Sequence, residues 1–405
     1  MRVSIICTGT ELLKGTTVNT NLAFLGQQLA EIGIVPFRAL IVGDSAADMR
    51  QALEAAAADS DLIITTGGLG PTRDDLTRNA VCDFLGLKLE RDFSIVDDLK
   101  RRWAKRYSTV PREDYLTQAD VPENSTVLKN RIGTAPGLWV KGKVQIILLP
   151  GPPHELNPMF RNEAMPLLKK LAVKMTYTVG FMIASISELI VQDKIEPLVK
   201  DLPISLAYCA SIEGVKVFLS SEDKDLVRDK AAEAAKLFGD ALLADNQLAV
   251  VPEVFARLQK SGYTLGLAES CTGGLIAAAI TDLPGASQIF KGAIISYSNA
   301  VKNKLLEVPQ NILDNYGAVS RECVEAMVQG AAKNLEVDAA IAVSGIAGPD
   351  GGTPEKPVGT VHIAAFLQGK IITENYVFPG SRESIRERAK IRALLLLRQL
   401  LIENP

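Results

Sequence analysis

DLIITTGGLGPTRDDLT, residues 61 to 77, carries an apolar strand pattern into a glycine-rich turn and then into the start of a helix. The β-branched and leucine residues from Asp61 to Thr66 suit a strand buried on both faces, and Gly67, Gly68 and Gly70 allow a tight reversal that a side chain would obstruct. The same order recurs upstream. Val3 to Cys7 is a short apolar run; Leu22, Leu25, Leu29 and Ile32 repeat at helical spacing up to Gly33; Val35 to Val42 reads as a strand, and an alanine-rich helix follows from about 46 to 58. Strands alternating with helices imply a mostly parallel sheet, hence an α/β unit. Downstream, LWVKGKVQIILL (138 to 149) reads as a hairpin turning at Gly142, and its second strand enters PGPPHEL. Three loops, GTELL, GGLGPTRDD and PGPPHEL, thus follow three strands, and in an open α/β sheet such loops line the ligand crevice.

The pattern changes beyond about residue 172. ISELIVQDKIEPLVKDL reads as a helix, VKVFLSS as a strand and LVRDKAAEAAKLFGDAL as a second helix, a small α+β insert. A second α/β series then runs through a helix near 250 to 261, strand TLGLAES, helix GGLIAAAITDL, strand GAIISYS, helix CVEAMVQGAAKNL, strands AAIAVSG and GTVHIAAF, and a last helix RESIRERAKIRALLLLRQLL. The expected organisation is three domains, 1–171, 172–245 and 246–405.

Composition narrows the function. A net charge of −3 over 405 residues gives no general attraction for nucleic acid or an anionic membrane, so nucleic-acid binding would need a local basic patch. No apolar run reaches the length of a membrane span, and a cytoplasmic protein is expected. The five cysteines, at 7, 82, 209, 271 and 323, show no C-x-x-C spacing, which argues against a disulfide framework or a zinc site. The two histidines, His154 and His362, leave few imidazoles for general base or metal-ligand work.

Two places carry candidate chemistry. In the first crevice the amides of Gly67, Gly68 and Gly70 could hold phosphate, and Glu11, Asp74, Asp75 and Glu155 would be hard oxygen ligands for a magnesium-like ion. The competing reading is that the glycines only form a turn and Asp75 caps the next helix. In the second, LAESCTGG (267 to 274) sets Ser270 beside Cys271 at a strand end, with Thr272, Gly273 and Gly274 supplying amides at the helix start. Alternation along a strand sends neighbours to opposite sides, so one of the two faces the site. A cysteine nucleophile usually works with a histidine, and His362 lies in the apolar strand VHIAA, where a packed role suits it. Tyr297, Ser298 and Asn299 could donate to a phosphate, a ribose or the reacting pair. Ser344, Gly345, Gly348 and Gly351 in SGIAGPDGG would form a nest for a nucleotide phosphate, or a flexible turn. Arg382 and Arg386 suit either a phosphate or a solvated helix face.

The blocks GTELLKGTTVNTN (9 to 21), TTGGLGPTRDDLT (65 to 77), LPGPPHE (149 to 155), LAESCTGG, SYSNAVK (296 to 302), YGAVS (316 to 320) and SGIAGPDGGTPEKPVGTV (344 to 361) together resemble the CinA, or competence/damage-inducible, family along the whole chain. The resemblance implies a molybdopterin-binding-like parallel-sheet domain, a KH-like connecting insert and a CinA-type α/β domain. It implies two activities: hydrolysis of ADP-ribose to AMP and ribose 5-phosphate with a divalent metal (Mg, Mn or Co), and deamidation of nicotinamide mononucleotide to nicotinic acid mononucleotide and ammonia without a cofactor. It assigns Lys302 as partner of Ser270, in a Ser-Lys pair that needs no histidine, and it implies a homodimer; Tyr297, close before Lys302, is expected to be a further catalytic group. Thr10 departs from the pattern, standing where the family usually has aspartate. The insert lacks G-x-x-G, its glycines falling at 180, 214 and 239, which argues against RNA binding. The alternative is a non-catalytic adaptor or pterin-nucleotide binder linked to competence or recombination.

Overall fold

A computed structural model describes residues 1–171, 176–244 and 247–404. The chain divides into two compact units, Met1–Thr178 with Ser220–Asp225, and Val179–Leu219 with the chain from Leu226 onward. The expected joins at 171/172 and 245/246 fall on residues 172–175 and 245–246, outside the described residues.

In the first unit the strands are β1 (Val3–Thr8), β2 (Arg38–Val42), β3 (Leu62–Thr66), β4 (Leu89–Arg91), β5 (Asp120–Pro122), β6 (Thr126–Leu128), β7 (Gly137–Val140) and β8 (Gln145–Leu149). Six of them form a sheet in the order β2-β1-β3-β8-β7-β6, while β4 and β5 make a separate ribbon. β2, β1, β3 and β8 are parallel, and the hairpin partner β7 and then β6 add antiparallel strands at one edge. Alternation distributes neighbouring residues to the two faces: Ile5, Ile64 and Ile147 pack with Leu25, Leu29 and Phe160, whereas Ile6, Ile63 and Ile146 pack with Leu53 and Val81. Burial on both faces explains why these strands read as unbroken apolar runs.

Apart from the ends of β9, β11 and the second helix that fall in the first unit, the second unit holds β9 (Tyr177–Ala184), β10 (Ser205–Ala210) and β11 (Gly214–Ser221), ordered β10-β11-β9, with helices Glu188–Val199 and Lys224–Lys236. It then holds β12 (Leu265–Glu269), β13 (Phe290–Ile295), β14 (Ala339–Gly345), β15 (Thr360–Leu367) and β16 (Lys370–Val377), ordered β13-β12-β14-β15-β16. β13, β12 and β14 are parallel, and β15 and β16 return antiparallel. The stretch expected as a separate insert shares a core with this sheet: Met182, Ala184 and Leu243 belong to the cluster of Leu265, Leu267 and Leu394. Arg398 ties the two further. It is 5% exposed, lies 3.0 Å from the carboxylate of Glu253, and donates to the carbonyls of Asp240 and Leu242 at 2.5 Å each.

Candidate active site

β12 is central in its sheet and every residue in it is buried, so its carboxyl end delivers Ser270 to the crevice at a fixed position. The Ser270 amide donates to the Val343 carbonyl of β14 at 3.0 Å, extending the parallel ladder to the serine itself. The chain then turns through Thr272, Gly273 and Gly274 into the helix Leu275–Thr281. Gly273 and Gly274 have φ of +60° and +97°, values that favour glycine, and this is why the turn can be so short.

Ser270 and Cys271 go to different surroundings. Lys302 Nζ lies 3.1 Å from Ser270 Oγ and donates to the Ser296 carbonyl at 2.7 Å. Cys271 joins the apolar core, and burial pushes its thiol up to about 11, so it is protonated at neutral pH. Lys302 is only 1% exposed, carried on the helix Asn299–Leu306 that Ser298 caps through the Val301 amide. Burial holds the lysine below its ordinary value; Cys323 and Cys271 act more weakly in the opposite sense, and no carboxylate pairs with it among the described residues. A neutral amine has one lone pair and two N–H donors, so it can accept from the serine hydroxyl while donating to the Ser296 carbonyl. Around the pair, the hydroxyls of Thr272 and Ser296 are fully buried and have no hydrogen-bond partner among the described residues.

The helix-start amides are used differently from the expectation. Glu269, fully buried, accepts from the amides of Gly274, Ile276 and Ala277 at 2.9, 3.3 and 2.9 Å. These donors neutralise a strand-end carboxylate, so Gly274 has no amide to offer a substrate. The Gly273 amide donates to the Ser270 carbonyl at 3.1 Å. The Thr272 and Cys271 amides enter no such bond among the described residues.

The remaining expected residues divide. Tyr297 makes no bond to the pair: its ring is exposed and its hydroxyl accepts from Arg382 Nη2 at 3.3 Å, which sets it on the rim rather than among the reacting groups. Arg382 also donates to the Gly348 carbonyl at 2.6 Å, drawing the 297, 348 and 382 blocks together. Asn299 is exposed in the first turn of its helix. Ser344 is 1% exposed and its hydroxyl donates to the Ala318 carbonyl at 2.7 Å, so it fastens the YGAVS loop. Gly345 is glycine because β15 crosses closely: a Cβ there would stand 2.8 Å from the Thr360 carbonyl. Gly348 has φ +78° and lies against Val358. His362 is half-buried, and burial first, then Lys356, lowers its basicity. Arg386, left between two readings by the sequence, is turned inward onto the Cys271 and Thr272 carbonyls at 3.0 and 2.7 Å.

In the first unit the loops converge but the carboxylates do not. The Asn21 amide donates to the Gly151 carbonyl at 2.7 Å, and a Cβ on Gly151 would stand 3.5 Å from Gly67 Cα. Gly67 faces the Thr8 carbonyl, Gly68 the Thr77 hydroxyl and Gly70 the Asp75 carboxylate, so the chain's own close approaches account for all three glycines. Asp75 accepts from the Thr72 amide and hydroxyl at 2.9 and 2.5 Å, Glu155 accepts from Asn130 at 2.7 Å, Glu11 folds over Gly9, and Asp74 is exposed. Among the described residues no three His, Cys, Asp or Glu side chains are grouped to hold a metal ion. Asp75 is engaged by Thr72 of its own loop and Glu155 by Asn130 from outside its loop, while Glu11 lies against Gly9 and Asp74 is exposed to solvent. The set Glu11, Asp74, Asp75 and Glu155 therefore does not fit a divalent ion as arranged, contrary to the expectation from sequence.

Comparison with known proteins covers nearly the whole chain. Residues 247–401 match the family model described as "CinA C-terminal domain" and residues 4–170 the one described as "Probable molybdopterin binding domain". A CinA-like protein of Akkermansia muciniphila is 41% identical over 400 residues, covering 97% of this chain and 96% of that protein. A CinA-like protein of Dictyoglomus thermophilum is 36% identical over 410 residues, covering 99% of this chain and 100% of that protein. Among solved structures, a CinA superfamily protein of Klebsiella pneumoniae is 34% identical at a TM-score of 0.37, covering 38% of this chain and 96% of its own.

Proposed function

The chain belongs to the CinA family, and we propose that its second unit is an amide hydrolase converting nicotinamide mononucleotide to nicotinic acid mononucleotide and ammonia. The observation that carries this reading is the 3.1 Å approach of a buried lysine, held toward neutrality, to a serine at a strand end. The substrate class comes from the family resemblance.

The groups present allow a balanced two-step hydrolysis. Ser270 Oγ attacks the carboxamide carbon while its proton passes to neutral Lys302, which becomes an ammonium. The ammonium returns that proton to the departing nitrogen, the C–N bond breaks, and ammonia leaves behind an ester on Ser270. Water then attacks the ester carbon, with Lys302 again taking a proton, and returning it to Ser270 Oγ releases the acid. No metal is needed, because the buried amine supplies both transfers. Arg382, exposed on the rim beside Tyr297 and Gly348, offers a positive charge for the substrate phosphate.

For the first unit the scattered carboxylates favour the narrower alternative, a pterin-nucleotide binder without hydrolysis. No step through a metal follows from the arrangement found. Among the described residues no helix is long and apolar enough to cross a membrane; a cytoplasmic homodimer, as in the family resemblance, completes the proposal.

The test is ammonia release from nicotinamide mononucleotide by purified protein, with AMP release from ADP-ribose measured beside it. Ammonia without added metal supports the reading. A protein that binds the nucleotide but releases no ammonia would contradict it, and metal-dependent AMP release would restore the hydrolytic role of the first unit.

A further inference from the structure

We propose that Arg386 is a positioning residue for the amide hydrolysis above: its guanidinium holds two successive carbonyls of the nucleophile turn so that the Thr272 amide is aimed at the oxygen of the amide under attack. The proposal rests on the Ser270–Lys302 reading and assigns the oxyanion donor that this reading leaves open.

The geometry follows from peptide planarity. In a trans peptide the C=O and N–H vectors point in opposite directions. Arg386 Nε donates to the Cys271 carbonyl at 3.0 Å and Nη2 to the Thr272 carbonyl at 2.7 Å. Both carbonyls are thereby drawn to the arginine side, and the amides of Thr272 and Gly273 are turned away from it. The Gly273 amide is spent on the Ser270 carbonyl, whereas the Thr272 amide has no partner in the turn. The Thr272 N–H, which like that of Cys271 enters no backbone bond among the described residues, therefore stands two residues after the nucleophile with its direction fixed by a side chain 114 residues distant. Donors of this kind, aimed where negative charge develops, are worth large factors in rate because they need not reorganise during reaction.

Arg386 is itself well located. It occupies the second turn of the helix Arg382–Glu403, whose neighbours Ile385 and Ala389 are 1% and 0% exposed, and Arg398 anchors the same helix further along. Gly273 adjoins the device: its φ of +60° favours glycine, and a Cβ there would only touch Arg386 Nη2 at an ordinary contact distance of 3.5 Å. No carboxylate pairs with Arg386 among the described residues, so its charge also favours a developing oxyanion nearby.

The experiment compares wild type, Arg386→Ala and Arg386→Lys in the full-length protein by two readouts. One is turnover of nicotinamide mononucleotide. The other is phosphonylation of Ser270 by a fluorophosphonate, followed by mass spectrometry, which needs the same oxyanion donor but not the natural substrate. Arg386→Ala should lower kcat by on the order of 10²-fold with KM changed less than about threefold, and should slow phosphonylation comparably. Millimolar guanidinium should restore part of both rates. Lysine, a point charge that cannot span two carbonyls, should remain impaired. If wild type is phosphonylated at Ser270 but does not turn over the nucleotide, the substrate reading falls while a slowed Arg386→Ala still supports the positioning role. Phosphonylation of Arg386→Ala at the wild-type rate would overturn the proposal, as would a loss that guanidinium fails to rescue and that tracks a loss of native circular dichroism.

Discussion

The turn after β3 and the turn after β12 are built alike and end differently. Each follows a buried parallel strand, passes through glycines with positive φ and opens a helix. At Gly67 to Asp75 the side chains of the turn are engaged within it, Asp75 closing on Thr72, and the glycines make room for Thr8, Thr77 and Asp75. At Ser270 to Gly274 the turn is instead completed from far along the chain, by Lys302 on the serine and Arg386 on the carbonyls. A strand–glycine–helix turn is thus a receptacle, and its chemistry depends on which long-range side chains reach it.

That contrast can be broken most decisively at the serine. Ser270→Ala and Lys302→Met should each lower amide hydrolysis by at least about 10³-fold, and Lys302→Arg should be equally inactive because a guanidinium keeps its proton. A turn that needs no distant partner would tolerate the lysine changes. The pH profile sharpens the same point: with Lys302 as base, kcat should rise as pH climbs through its lowered value and then level off. Stability has the matching sign. Between the folded and unfolded values of Lys302 the unfolded chain holds the extra proton, so folding stability rises with pH in that window, and Lys302→Met should lose that rise in denaturant titrations.

A smaller effect is expected from cutting the second unit short. A chain starting at 247 lacks Met182, Ala184 and Leu243 from the shared core and strips Arg398 of two carbonyls. Its unfolding free energy should fall more than about 3 kcal/mol below that of a chain starting at 179. Equal stability would make the insert an independent body. Cys271→Ala, which alters packing beside the nucleophile but no reacting group, should change kcat less than about tenfold. The least effect belongs to the other turn: Asp75→Asn should leave ammonia release within about twofold and cost about 1 kcal/mol through the weakened Thr72 contacts.

Most of the fold could be read from the amino acids because buried parallel strands declare themselves as apolar runs, and β1, β3, β8, β12 and β14 are all of this kind. β16 escaped the reading. KIITENYV is half-exposed and mixes Glu374 and Asn375 with its apolar residues, so only the turn at Gly369 signals the hairpin. β9 and β10 escaped as well: β10 is mostly exposed, whereas β9, buried over Phe181–Ala184, has its apolar run interrupted by Gly180. At the site, Ser270 and Lys302 were found through the resemblance of whole motifs, since no local rule pairs residues 32 apart. Arg386 stayed ambiguous because a helix arginine looks the same in sequence whether it faces water or a carbonyl pair. Glu269 left a clue that went unused: a carboxylate closing an apolar strand just before a helix start is well placed to accept that helix's amides. The metal set shows the opposite relation. Four acids on three converging loops look like ligands in sequence, yet among the described residues they are not grouped around one point, Asp75 turning to Thr72 and Glu155 to Asn130.

The central claim, that Ser270 and not its neighbour is acylated, is tested most directly by rapid acid quench of the protein turning over nicotinamide mononucleotide, followed by peptide mass spectrometry of residues 263 to 291. The account predicts an acyl adduct on Ser270 that is absent from Ser270→Ala and unaffected by Cys271→Ala. An adduct on Cys271, or undiminished ammonia release from Ser270→Ala, would contradict it.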